Sequence, residues 1–361
     1  MERSRARRTP LRRARVLGWA LALVLVGVPF TFPAAGAVFT AATSDVANAV
    51  TAGSLAPPSG FAAAQSCSFS TISYVGPSQA GSNNSSLTLS VPAATQVGDV
   101  LVAQVTNRYD TGYTITPQAG QGWTLIDRQM SGNGGNIVSS AMYWKVATAA
   151  GAGTSTFTLS SPTIDMAGGL VVFRGVSTTT PINASAFTLG SSVHATAPSV
   201  TTTVAKTVVV HTSVKRQEML LQPTGDAPLW RIMSTGGGTV TQGVSAGYNS
   251  FVGPGATPVT TISSAGSGTA EWVTFTVALR PAATASADLT WTASPSSTAT
   301  GYSLERVVGG TVQSTTQITP VSTTATTVAS LVNGTAYTFR LKTYLGTWTS
   351  TQVSASVTPS C

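Results

Sequence analysis

Residues that could do chemistry are few and scattered in this 361-residue chain. Gly-Val-Ser-Ala-Gly at 243–247 fits the Gly-x-Ser-x-Gly pattern of a nucleophile elbow, with Ser245 as the nucleophile. An elbow needs a strand-to-helix turn, then an acid and a histidine further along the chain. Here GYNSFVGPG (247–255) follows, which cannot be helical, and neither histidine, His194 or His211, lies downstream. The pattern reads as a chance match in a Gly/Ser-rich chain. Paired carboxylates for glycoside hydrolysis must flank a cleft. Asp99, Asp110, Asp127, Asp165, Glu218, Asp226 and Glu271 sit in no such context, and Asp99 in VGDVL reads as a turn residue before a strand. His211 lies inside VVVHTSV, where a packed or hydrogen-bonded role is expected. No Asp/Asn/Gly cluster has calcium-loop spacing. The expectation is a chain with no catalytic residue, no metal and no cofactor.

Exposed aromatic rings offer a different chemistry, because a ring face is apolar and can stack on a sugar. Trp123, Tyr143, Trp144, Trp230, Tyr248 and Trp272 are available. Tyr143 and Trp272 fall in alternating strands and read as core. Trp230, in the irregular stretch QPTGDAPLWRIMS (222–234), is the leading exposed candidate, with Trp123 and Tyr248 beside it as ligand-stacking residues. Asn83, Asn84, Asn183 and Asn333 satisfy Asn-x-Ser/Thr and read as solvated turn residues.

The elements that would position these residues are strands. Charged residues make up 8% of the chain, against about 25% in an ordinary soluble domain. Hydrophobic residues reach 42%, too many for a disordered chain. SLTLSVP (86–92), DVLVAQVTNR (99–108), SSAMYWKV (139–146), STFTLSS (155–161), KTVVVHTSVK (206–215) and EWVTFTVALRP (271–281) all read as strands separated by Gly, Pro, Ser and Asn. No stretch sustains a capped amphipathic helix. The fold class is all-β, with packed double sheets to manage the exposed edges.

The net charge of +8 is mostly local, since seven of the 19 Lys/Arg lie in the first fifteen residues. The rest holds no basic patch interleaved with aromatics, so no nucleic-acid partner is expected. After those arginines, VLGWALALVLVGVPFTFP (16–33) and AGA (35–37) follow. Positive, apolar and small residues in that order predict a cleaved secretory signal over 1–37. An uncleaved anchor is the alternative, and its span before Pro33 would be short for a bilayer. Membrane contact would then come only through this segment, and the protein is expected to be secreted or cell-surface associated. In an exported chain, two cysteines point to a disulfide rather than a metal or redox site.

Three resemblances extend this reading. Residues 36–55, GAVFTAATSDVANAVTAGSL, resemble the stretch after the signal in bacterial secreted proteins of the biofilm-matrix-fibre type; 38–55 would be a linker. DLTWTAS (288–294), GYSLERV (301–307), LVNGTAYTFRLKTY (331–344) and TQVSASVTP (351–359) resemble a fibronectin type III domain lacking its first strand. The resemblance makes Trp291 and Tyr302 core residues and Tyr337 the corner tyrosine. APPSGFAAAQSC (56–67) resembles the missing opening strand. The domain would be split, 56–67 plus 287–361. In it the first and last strands end at one pole, so Cys67 and Cys361 would be bonded.

The inserted 69–281 is similar to a jelly-roll-like module of bacterial and phage surface proteins. The similarity rests on PAATQVGDVLVAQV (92–105), GWTLI (122–126), YWKVA (143–147), GGLVVFRGV (168–176) and EWVTFTVALRP (271–281). Its first strand (70–76) is expected to pair near its last (271–281), to bring the ends together. Together these features imply a non-catalytic surface or matrix protein for interaction or adhesion, whose partner is a polysaccharide or another surface protein. The alternative is a carbohydrate-binding accessory to extracellular polysaccharide degradation.

Overall fold

The structure, a computed structural model, describes residues 53–361 apart from 109–112, 161–163, 219, 222–224 and 237–238. The expected signal segment (1–37) and nearly all of the linker (38–55) lie outside the described residues. Within them every regular element is a strand. That follows from a chain dominated by Val, Thr and Ser with apolar residues at every second position. β-Branched side chains suit a pleated surface and lose rotamer freedom in a helix.

β1 (Ser59–Phe69) opens the described chain. It is followed by β2 (Ser73–Ser82), β3 (Ser86–Val91), β4 (Val100–Arg108), β5 (Ile115–Pro117) and β6 (Thr124–Ser131). Then come β7 (Val138–Val146), β8 (Gly153–Leu159) and β9 (Met166–Arg174). The next run holds β10 (Ile182–Ser192), β11 (Ala195–Ala197), β12 (Thr201–Thr202), β13 (Thr207–Arg216) and β14 (Ala227–Gly236). It continues through β15 (Thr239–Phe251), β16 (Gly255–Ala256), β17 (Thr260–Ile262) and β18 (Ala270–Leu279). The chain ends with β19 (Ala283–Thr292), β20 (Gly301–Val308), β21 (Thr311–Ile318) and β22 (Ala325–Leu331). β23 (Tyr337–Leu345), β24 (Trp348–Thr349) and β25 (Val353–Val357) complete it.

β1 pairs antiparallel with β19, Phe69 opposite Ala283, so the chain leaves a sheet after β1 and re-enters the same sheet at β19. The β1-β19-β22 sheet faces a second sheet, β21-β20-β23-β25, across a core of Trp291, Tyr302, Phe339 and Leu341. Tyr302 is fully buried; its hydroxyl accepts from Ser294 N–H at 2.8 Å and donates to Val321 O at 2.7 Å. The Tyr337 hydroxyl accepts from Val332 N–H, five residues back, at 3.0 Å. Cys67, near the end of β1, is disulfide-bonded to Cys361 beyond β25, with the Cα atoms 5.8 Å apart.

Between β1 and β19 stand two five-stranded antiparallel sheets, β2-β9-β4-β7-β6 and β10-β18-β13-β15-β14. They enclose one core to which both contribute, including Val102, Met142 and Val171 from the first and Val210, Val244 and Phe275 from the second. The small β3-β8-β5 sheet covers the outer face of the first, with its Leu87 and Phe157 in one core with Leu101 and Leu170. Short pairs β11-β17 and β12-β16 accompany the second. Central strands are thus covered on both faces, which is why β4, β9, β13 and β18 are buried almost throughout.

Each large sheet is built from one half of the insert, and the two halves repeat one another. In both, the order runs opening strand, closing strand, then a central strand and a hairpin. The hairpins share an irregularity: Thr124↔Trp144, Leu125↔Tyr143, then a bulge, against Ala227↔Tyr248, Pro228↔Gly247, then a bulge. The opening strands share another, after Tyr74↔Phe173 and after Ile182↔Leu279. Bulges in matching registers behave as built features of a fold. The halves also exchange edges. Gln79 of β2 accepts from the Arg231 N–H of β14 at 2.9 Å, and Ser131 of β6 donates to Gly190 O of β10 at 3.0 Å.

The expected pairing of 70–76 with 271–281 does not occur. β2 pairs with β9, the closing strand of its own half, while β18 lies between β10 and β13. The ends meet through single bonds instead: Ser70 N–H to Ala282 O at 2.9 Å, and Ala282 N–H to Gly175 O at 2.8 Å. Gly175 has φ +82°, and a Cβ there would stand 2.6 Å from Thr71 O, so this neck requires glycine.

Candidate functional site

A well-lined opening lies at the end of the first half's hairpin. β6 begins at Thr124, opposite Trp144, so β7 from Lys145 onward keeps β4 on one side and has no strand on the other. Loops around Gly120–Gly122 and Thr148–Gly153 wall the gap, and Thr178 closes its far side. The cleft has a volume of about 450 Å³, within the range of small-molecule sites.

Trp144 and Lys145 both line it, and successive strand residues project to opposite faces. Trp144 is half-buried. The Lys145 ammonium sits 4.7 Å from the ring centre of Trp123 and donates to Ser155 Oγ at 3.3 Å. Among the described residues no carboxylate pairs with it. Burial alone therefore pushes its pKa down, with no anion to restore it. Tyr143, the neighbour on the other side, is core: its hydroxyl donates to Ile115 O at 2.7 Å, and burial pushes its pKa up to about 12.

The second half carries a different arrangement at the matching register. His211 Nδ1 lies 2.8 Å from Asp226 Oδ2, and Asn249 Nδ2 donates to Asp226 Oδ1 at 2.6 Å. The imidazole and carboxylate are both almost fully buried, and His211 Nε2 has no partner among the described residues. Tyr248 stacks on Tyr74 at 5.4 Å and 10°. This group is sealed by its own contacts. Lys215, fully buried, donates to Glu218 at 2.6 Å, to Gly268 O at 2.7 Å and to Val193 O at 2.8 Å.

The structure overturns the placement of Trp230. It is 3% exposed, and its indole fills the gap left by Gly169, where a Cβ would stand 2.2 Å from the ring. Trp123 and Tyr248 are half-buried and packed, Trp123 against Phe157 and Tyr248 against Phe173 as well as Tyr74. The three candidate stacking residues therefore do not form one surface. Asn183 is a bulge residue of β10 whose amide bonds Thr203, not a turn residue. Ser245 lies mid-strand in β15, buried, 2.7 Å from Ser213 Oγ. The carboxylates are dispersed: Asp99 binds Arg174, Glu218 binds Lys215 and Glu271 binds Arg216. Among the described residues no three His, Cys, Asp or Glu side chains could hold a metal ion.

Comparison with known protein families and with curated proteins finds no match. The sequence reading missed Lys145 and passed over Trp348, which at 61% is the most exposed aromatic ring among the described residues and stands on the β23–β24 hairpin. An isolated tryptophan in Gly-Thr-Trp-Thr was the available signal for the second. Nothing local marked the first, because its isolation depends on which strand ends beside it.

Proposed function

We propose that the chain is an exported, non-catalytic surface or matrix protein that acts through interaction or adhesion. The observation that carries this reading is the Cys67–Cys361 disulfide, because such bonds persist in oxidising compartments outside the cytosol. The arginine-rich, apolar opening segment supports export. The sandwich of β1-β19-β22 against β21-β20-β23-β25, with its Tyr337 tie, supports a fibronectin type III frame holding the inserted body. The dispersal of histidines and carboxylates into separate buried or paired groups supports a role without catalysis.

The full chain, produced with its own opening segment in a secreting bacterial host, is expected outside the cytoplasm with the bond intact. Mass spectrometry of the medium, envelope and cytoplasmic fractions under non-reducing conditions tests this. Cytoplasmic retention with both thiols free overturns it. The cleft beside Trp144 favours a second, narrower form of the reading, in which the partner is a carbohydrate.

A further inference from the structure

The two halves of the insert act as internal controls for each other. Register matching sets Trp144 against Tyr248, Lys145 against Asn249, and Trp123 against Asp226. In the second half the aromatic ring is capped by Tyr74, and the residue beside it is held by Asp226. The position matching Tyr74 is Ile182 of β10, which has no aromatic ring to stack on Trp144, and the position matching Asp226 is the indole of Trp123. The same frame thus stacks and pairs these positions in its second copy, whereas among the described residues the first has no ring stacked on Trp144 and no carboxylate at Lys145.

We infer that the Trp144–Lys145 cleft binds an anionic oligosaccharide across the open edge of β7, one ring's apolar face on Trp144 and the carboxylate or sulfate of a neighbouring unit at the Lys145 ammonium. This rests on the interaction reading above and names the class of partner. A half-buried ammonium is less screened than a fully solvated one and attracts an incoming anion more strongly. Burial lowers the Lys145 pKa and no carboxylate among the described residues offsets it, so an anion would supply the missing charge. An oligosaccharide chain reaches both sides of that edge, because each ring has an apolar C–H face and a polar rim. Thr148 and Thr154 line the same cleft and supply hydroxyls for that rim.

Calorimetric titration of the full chain tests the inference with three oligosaccharides: an oligogalacturonate, a sulfated galactan and a neutral cello-oligosaccharide. One or both charged probes are expected to bind at least about tenfold more tightly than the neutral one, and more weakly as salt rises. Preference for the galacturonate assigns a carboxylate, and preference for the galactan assigns a sulfate. Lys145→Met is expected to abolish the preference, while Lys145→Arg retains it. Trp144→Ala and Trp144→Phe bracket the stacking, with near-ultraviolet circular dichroism reporting that each variant is folded. Trp348→Ala should change nothing. Equal affinity for neutral and charged sugars, an unaltered Lys145→Met variant, or no sugar binding at all overturns the inference. So does binding of an acidic peptide in place of the sugars. Failure here with an extracellular, disulfide-bonded chain leaves the broader reading intact, whereas cytoplasmic retention removes that reading alone.

Discussion

Cutting the sulfur bridge should unfasten the terminal sandwich and leave the inserted body folded. The bond joins residues 294 positions apart. Loop entropy over that whole separation would amount to about 5–6 kcal/mol. The insert, however, has its own cores, and its ends are tied by the 2.9 Å bond between Ser70 and Ala282. While it remains folded it shortens the loop to roughly 80 residues, and the expected stabilisation falls to about 4–5 kcal/mol. For a domain of that size each kcal/mol moves the melting point by about 4–8 °C, so a loss of roughly 15–40 °C is expected for the terminal sandwich alone. Cys67→Ala, Cys361→Ala and the double variant should behave alike. Hydrogen exchange with mass-spectrometric readout resolves the two parts: 283–361 should lose protection while the peptides of β4, β9, β13 and β18 keep theirs. Loss of protection throughout the insert, or no change in the terminal sandwich, would refute the reasoning.

Two further perturbations address the insert. Gly169→Ala drives a methyl into the Trp230 indole and should cost about 1–3 kcal/mol, read as a melting shift of several degrees. Adding Trp230→Ala should cost less than the sum of the single changes, and strict additivity would mean the two do not touch. Burial raises the pKa of Glu218, but bonds from Lys215, Ser264 and Gly268 outweigh it and leave the pKa below the ordinary carboxylate value. A depressed carboxylate stabilises the fold above its unfolded pKa and loses that contribution as pH falls through the folded one. Melts from pH 7 to pH 3 should therefore show stability falling below about pH 4.5. The gap between wild type and Glu218→Gln should narrow over the same window, and a constant gap would contradict it.

Strand content was readable because burial on one face writes itself as alternation: Tyr337, Phe339 and Leu341 point inward and their neighbours outward. Central strands were readable for the opposite reason, since VLVAQV and GGLVVF are covered on both sides. The sulfur bridge followed from the resemblance to a fibronectin type III domain, in which the first and last strands end at one pole. Trp230 misled because Gly225 and Pro228 suggest a loop, whereas proline is tolerated at the edge position that β14 occupies. The cavity that receives its ring is made by Gly169, 61 residues earlier, and no local pattern reports that. The duplication was equally hidden. It is written in register irregularities, and the aligned side chains differ: Trp144 and Tyr248, Lys145 and Asn249, Ala103 and His211.

The covalent path between Leu55 and Cys361 has a mechanical consequence. It runs along β1 to Cys67 and crosses directly to Cys361, so 68–360 hang from it as a side loop. Tension applied between those two points is borne by a dozen residues and one sulfur–sulfur link. The body that carries the cleft lies off that line of force.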